Sequence, residues 1–365
     1  MTTFILQGLP GINNSHHKSD FDSLFENNPT SILPIHNQEN FKSKWIETNI
    51  INYNTSSTNT HGRVKAAIVA LVRNSELFGM QQTIREITDR FNKNYNYPII
   101  LLNDEPFTEE FKQGIEPLTT AKVLYGLVDG EQWGYPSWIN KRRAKKEMNK
   151  ATYKYAKSES YRFMCRFQAG YIFRHSLLKE LDYYWRVEPN VHYFCDINYD
   201  PFKYMQDNKL IYGFTIAVPE IQQTIRSLWT TTLKFIKINP YYISPNNTLK
   251  WILTKKKKYN GCHYWSNFEI VNLGFYRSKA YMDYFNFLDR SGGFFYERWG
   301  DAPIHTLAVS MFLNKSQIHY FEDIGYKHQG AGHCPVPDKR IGACVCDENK
   351  NKANSHTCGL LWKKM

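Results

Sequence analysis

The chain predicts an α/β fold, and three observations carry that prediction. VKAAIVALV (64–72) and YPIILLND (97–104) are continuous apolar runs of strand length. Between them, Leu77, Met80, Ile84, Ile87 and Phe91 recur on one face at helical spacing. The alternation of strand and helix then continues to residue 127, as expected for a sheet that is largely parallel at its start. A chain of 365 residues is long enough for a full core, as one large domain or two small ones.

The elements follow in order. Residues 1–60 are polar and rich in Asn, Ser, Thr and His, and read as a stem-like irregular segment with one short helix near 38–48. The globular part spans 61–365. Its first strand, 64–72, leads into a helix over 76–95, a strand over 97–104, a helix over 108–116 and a strand over 121–127. A polar helix at 137–150 and an amphipathic one at 158–171 come next. The strand YYWRVE (183–188) stops at Glu188, because Pro189 has no N–H to continue the ladder. Helix 199–207, strand 211–217 and a long helix 220–238 precede a loop rich in Pro, Asn and Lys at 239–260. Strand 268–275, helices 278–290 and 301–313 and strand 317–321 complete the core. No internal repeat, G-x-G-x-x-G or P-loop motif occurs.

Four of the seven cysteines, Cys334, Cys344, Cys346 and Cys358, fall in a tail rich in Gly, Pro, Asn and Asp. A C-x-C pair without histidines at zinc-finger spacing speaks against a zinc site. A loop-rich tail without its own core calls for disulfides, so six bridged cysteines and one free are expected. Sequons at Asn13, Asn54, Asn246 and Asn314 fit a secretory-pathway protein. No apolar run is long enough to span a bilayer. The start, MTTFILQGLPG, lacks the basic region and apolar length of a signal peptide.

The formal charge of +12 suits an anionic partner, either nucleic acid or a nucleotide-sugar diphosphate. The main basic clusters are Lys141–Arg143 with Lys145 and Lys146, and Lys255–Lys258. They form neither a stripe nor a known nucleic-acid motif, so no nucleic-acid partner is expected.

Six residues stand where chemistry needs them. Glu188 ends a buried strand, where a carboxylate can hold a metal–phosphate group. Arg73 follows the first strand and can fork onto a phosphate. Tyr161 lies on an aromatic helix, YRFMCRFQAGYIFRH, with Arg162 and Arg166 expected to alternate between core and cleft. Glu269, within WSNFEI, is a carboxylate flanked by Phe268 and Ile270, costly to bury without a partner. Asp301, in a cluster with Glu297 and Arg298, either caps the helix that begins at Ala302 or accepts a bond from a substrate hydroxyl. His328 follows a strand, and an imidazole with a carboxylate and phosphate oxygens can complete a divalent-metal shell.

The strings YYWRVEP, YFCDINYD, WSNFEI, GGFFYERWGDAP and DIGYKH resemble the fungal α-1,2-mannosyltransferases of glycosyltransferase family 15, from about Val64 to Cys358. The resemblance implies a GT-A-like mixed sheet flanked by helices, with the Cys-rich tail appended. It implies transfer of mannose, with retention, from GDP-mannose to a mannose-terminated glycan, and Mn²⁺ as cofactor. It makes Glu188 and His328 the metal ligands, Glu269 the candidate nucleophile and Tyr161 the tyrosine beside sugar and diphosphate. Arg73 and Asp301 become donor contacts. A catalytically inactive glycan-binding homologue is the alternative. Two departures stand out. After His328 the chain has QGAGH (329–333) where prolines are expected. The amino-terminal anchor of these type II Golgi-lumen enzymes is not present in this sequence, so membrane contact is expected only through such an anchor.

Overall fold

A computed structural model describes residues 63–365 apart from 129, 131, 352 and 354–356. The stem-like segment, the helix near 38–48 and the sequons at Asn13 and Asn54 lie outside the described residues.

The sheet grows from β1 (Ala66–Leu71), whose residues are buried up to Ala70. The amphipathic face anticipated above becomes α1 (Leu77–Arg90), which buries Met80, Ile84 and Ile87. It ends five residues earlier than the periodicity predicts, because Asn92 turns its side chain onto the backbone of Tyr97 and closes the chain into β2 (Ile99–Asn103). α2 (Glu109–Ile115) is capped by Thr108 and leads to β3 (Val123–Leu127). α3 (Lys141–Lys150) is capped by Asn140, and α4 (Glu159–Gly170) by Ser158. Each cap satisfies an amide that the first helical turn leaves free.

β4 (Tyr183–Arg186) is wholly buried. A second strand the sequence does not announce, β5 (Val191–Tyr193), follows it directly. The turn between them is held in place: Asn190 has φ +61° and packs on Gly79, where a Cβ would come within 2.5 Å of its amide. α5 (Pro201–Asp207) starts at the Asp200 cap. The predicted strand 211–217 divides into β6 (Tyr212–Phe214) and β7 (Ala217–Pro219). The predicted helix 220–238 begins only at Leu228, as α6 (Leu228–Ile238). The loop after it contains a 3₁₀ turn at Pro240–Tyr242 and one short α-helix, α7 (Leu249–Ile252), and β8 (Cys262–Tyr264) pairs with β7.

β9 (Glu269–Asn272) is shorter than predicted, since Asn272 caps α8 (Leu273–Arg277). α9 (Lys279–Ser291) ends at Gly292 with φ +79°, the left-handed C-cap that glycine supplies. A single turn, α10 (Gly293–Tyr296), precedes α11 (Asp301–Phe312), in which every residue is buried. β10 (Ile318–Tyr320), β11 (Tyr326–His328), β12 (Ala331–His333) and the terminal α12 (Thr357–Lys363) finish the chain.

Among the described residues the main sheet has seven strands in the order β10-β6-β9-β4-β1-β2-β3. β1, β2, β3 and β4 run parallel, and β9 is antiparallel to both β4 and β6. β5, β11 and β12 form a small antiparallel sheet. The tail is stapled as expected: Cys195–Cys344, Cys262–Cys358 and Cys334–Cys346 are bridged and Cys165 is free and buried. No helix among the described residues is long and apolar enough to cross a membrane.

Candidate active site

A cavity of about 730 Å³ opens beyond the carboxyl ends of β1, β2 and β4. This is where open α/β sheets bind ligands, because the strand ends leave a crevice between loops. Arg73, Tyr161, Glu188, Asp301 and His328 all border it. Of the six residues singled out in the sequence, only Glu269 does not.

Glu188 reaches the cavity because Pro189 and Asn190 turn the chain out of the sheet. Thr83 of α1 donates to the Glu188 carbonyl at 2.9 Å and fixes that turn. β5 then pairs antiparallel with β11, placing Val191 opposite His328. As a result Glu188 Oε2 and His328 Nε2 stand 3.6 Å apart. A two-residue hairpin, Gln329–Gly330, follows His328 directly, with Gln329 at φ +46°. This tight turn occupies the place where prolines were expected. Burial lowers the pKa of His328 despite the opposing charge of Glu188, so its imidazole is neutral near pH 7 and keeps a lone pair for a metal.

Arg186 organises the acidic side of the cavity. It is buried on β4, and its Nη2 donates to Glu188 at 2.6 Å while its Nη1 donates to Asp301 at 2.6 Å. Ser266 also donates to Asp301, at 2.7 Å. Asp301 is the first residue of α11, but its carboxylate faces Arg186 and caps nothing. The capping alternative is therefore not the one adopted.

Glu269 lies on the same strand pair, opposite Arg186, and has no exposed surface. Tyr184, Tyr212 and Tyr276 donate to its carboxylate, and His305 Nδ1 lies 3.1 Å away. Burial pushes its pKa up, but His305, Arg186 and the Tyr184 hydroxyl outweigh burial and leave it lowered. Glu269 is thus an ionised carboxylate walled by aromatic hydroxyls.

Tyr161 stacks on Tyr155 with ring centroids 4.5 Å apart, and Arg298 lies over its face at 5.0 Å. Arg162 and Arg166 do not alternate with it toward the cavity. Arg166 forms a buried fork on Asp289 and Arg162 donates to the carbonyls of Ser158 and Glu297. Glu297 is likewise structural, accepting from Ser227 and Trp299. Arg73 is exposed at the rim, beside the buried Asn103 at the end of β2. Sequence reasoning passed over Arg186, Ser266, Glu220 and Gln168, all of which border the cavity. An arginine inside the apolar run YYWRV was the available signal for the first.

The model of the glycolipid 2-alpha-mannosyltransferase family matches residues 26–365. The chain belongs to this family. It is 49% identical to a glycolipid 2-alpha-mannosyltransferase of Saccharomyces cerevisiae over 83% of this chain and 70% of that protein. A second relative, glycolipid 2-alpha-mannosyltransferase 2 of Candida albicans, is 50% identical over 81% of this chain and 66% of its own length. The alignments thus span about two thirds of these relatives. Two solved structures share the fold. Ktr4p of S. cerevisiae in complex with GDP aligns with TM-score 0.81 and 35% identity, covering 94% of this chain and 95% of that one. Core-mannan synthase A of Aspergillus fumigatus, in its Mn/GDP form, aligns with TM-score 0.77 and 39% identity, covering 84% and 85%. The GT-A-like mixed sheet expected from the sequence is therefore the fold of this family member.

Proposed function

We propose that the chain is a retaining α-1,2-mannosyltransferase that moves mannose from GDP-mannose to a mannose-terminated glycan, O-linked or N-linked, on a glycoprotein. The observation that carries this reading is the convergence of Glu188 and His328, 3.6 Å apart, on a cavity at the strand ends. A carboxylate and a neutral imidazole suit Mn²⁺, and no cluster of three or more His, Cys, Asp or Glu suited to a metal occurs among the described residues. Diphosphate and water oxygens would complete the shell. Bound there, Mn²⁺ supplies positive charge to the departing diphosphate.

The chain's own residues do the rest. Arg73 at the rim contacts the anionic nucleotide. Tyr161 packs beside sugar and diphosphate. Asp301, held ionised by Arg186, accepts from a donor-sugar hydroxyl. As the bond from C1 to the β-phosphate oxygen breaks, C1 becomes cationic and the carboxylates around Arg186 stabilise it. Retention follows either from a mannosyl-enzyme intermediate on Glu269 or from attack on the face that GDP leaves. The enclosure of Glu269 favours the second course, in which Glu269 contributes charge. The acceptor oxygen then bonds to C1, and its proton passes to the leaving phosphate. The three disulfides suit an oxidising compartment, and we place the protein with its family in the Golgi lumen.

The test is Mn²⁺-dependent transfer from GDP-mannose to α-methyl-mannoside, with the product linkage read by NMR. An α-1,2-linked disaccharide is expected, and Glu188→Ala should weaken metal-dependent donor binding. GDP binding without transfer to any mannoside would point to the glycan-binding alternative. No GDP binding at all would sink the reading.

A further inference from the structure

Gln168 stands on α4 one turn beyond Met164 and two beyond Tyr161, and all three border the cavity. Positions separated by three and four residues share a helix face, so α4 presents this stripe to the ligand space. Gln168 is only 2% exposed. Its side-chain oxygen is buried and has no hydrogen-bond partner among the described residues. An amide oxygen left in that state has lost its hydration with no bond in return. Native proteins keep few such groups, and one beside a ligand cavity has an obvious use.

The surroundings indicate what it would bind. α4 packs against α11, whose first residue is Asp301. Asp301 and Gln168 therefore border one cavity from two packed helices. A carboxylate only accepts hydrogen bonds, whereas a carboxamide accepts at one end and donates at the other. Adjacent hydroxyls on a pyranose ring offer matching groups. The cavity wall grades from exposed residues such as Lys154 and Tyr155 to the buried Gln168. An acceptor glycan arrives from solvent as a chain end, so the deep position belongs to the sugar already bound.

We propose that Gln168 accepts a hydrogen bond from a hydroxyl of the donor hexose and thereby helps determine which hexose is transferred. This rests on the transferase reading above. The amide makes no bond through its oxygen in the free protein, so replacing it by an apolar side chain of equal length removes the proposed substrate contact without breaking an internal bond to that oxygen.

The experiment compares Gln168→Met with wild type as the full chain with Mn²⁺. Calorimetry gives the affinity for GDP and for GDP-mannose, and kinetics give kcat/KM for GDP-mannose and GDP-glucose. GDP affinity should stay unchanged, kcat/KM for GDP-mannose should fall about tenfold or more, and the preference for mannose over glucose should narrow. The variant should melt no lower than wild type. Unchanged turnover would overturn the proposal. So would equal losses for GDP and GDP-mannose, a marked drop in melting temperature, or an effect confined to the acceptor KM. Failure of the wild type to bind GDP would instead remove the transferase reading, and this inference with it.

Discussion

Glu188 accepts a 2.6 Å hydrogen bond from Arg186, two residues before it in the chain. The other terminal nitrogen of the same guanidinium holds Asp301. One buried cation thus orients a candidate metal ligand and a candidate sugar contact together. It also offsets the repulsion between the two carboxylates it holds.

Arg186→Met should therefore move the acidic limb of the pH–rate profile to higher pH. Burial alone pushes the Asp301 carboxyl up; Arg186, His305 and Ser266 reverse this and hold it below the usual range. Without the guanidinium, burial regains its weight and ionisation of Asp301 needs a higher pH. Breaking a buried pair by removing one partner also costs about 3–5 kcal/mol. Arg186→Lys keeps the charge but loses the fork, so its profile should shift less. Coincident acidic limbs for wild type and Arg186→Met would contradict this assignment.

Glu269→Gln should lower turnover by orders of magnitude while GDP binding survives. The carboxylate accepts from three tyrosine hydroxyls, and an amide can turn only one acceptor oxygen toward them. A stability loss of about 1–3 kcal/mol at neutral pH should accompany the kinetic effect. The pKa of Glu269 is lowered in the folded chain. The stability it contributes is therefore full above the ordinary carboxylate value of about 4 and lost as pH falls through the lowered one. The variant should show a shallower loss of stability on acidification, measured by urea unfolding across that range.

The framework was legible because it rests on local pattern. The apolar runs at β1 and β2 and the face of α1 describe single segments, and each lies where the pattern puts it. β4 ends at Arg186, two residues short of the stop expected at Glu188, because the chain already leaves the sheet there for the turn into β5. The short strands β5, β7 and β8 were not legible, because three residues carry no period and their pairing partners lie far along the chain. The site divides in the same way. Glu188 and His328 could be named from strand ends and from the family resemblance. That Arg186 clasps two carboxylates, or that Glu269 is enclosed by Tyr184, Tyr212 and Tyr276, depends on β4, β6, β9, α8 and α11 meeting in space.

His319 offers a test remote from the cavity. Its ring packs between Tyr204 and Phe321, with centroids 4.9 and 4.6 Å away. Burial lowers its pKa to about 4. An unfolded histidine titrates near 6.5, so between those values the unfolded chain binds a proton that the folded one refuses. Stability should fall as pH drops from about 6.5 to about 4, by at most about 3 kcal/mol from this group. His319→Phe should flatten that part of the profile, and NMR of the wild type should show the ring still neutral at pH 5.

The Cys262–Cys358 bridge ties β8 to the terminal helix across 96 residues. Trp362 on that helix packs against Phe214, Trp251 and Tyr264. A closed loop of that length restricts the unfolded chain strongly, so replacing both cysteines by serine should cost about 2–5 kcal/mol. Tryptophan fluorescence should report the loosened contact, since two of the four rings are indoles. The neighbouring His263 borders the cavity, so donor binding should weaken as well. Cys165 is buried, and burial raises its thiol pKa far above the usual range. A thiol reagent should accordingly find nothing in the folded chain without reductant and one group per chain after unfolding. Labelling of more than one would mean that a tail bridge is open.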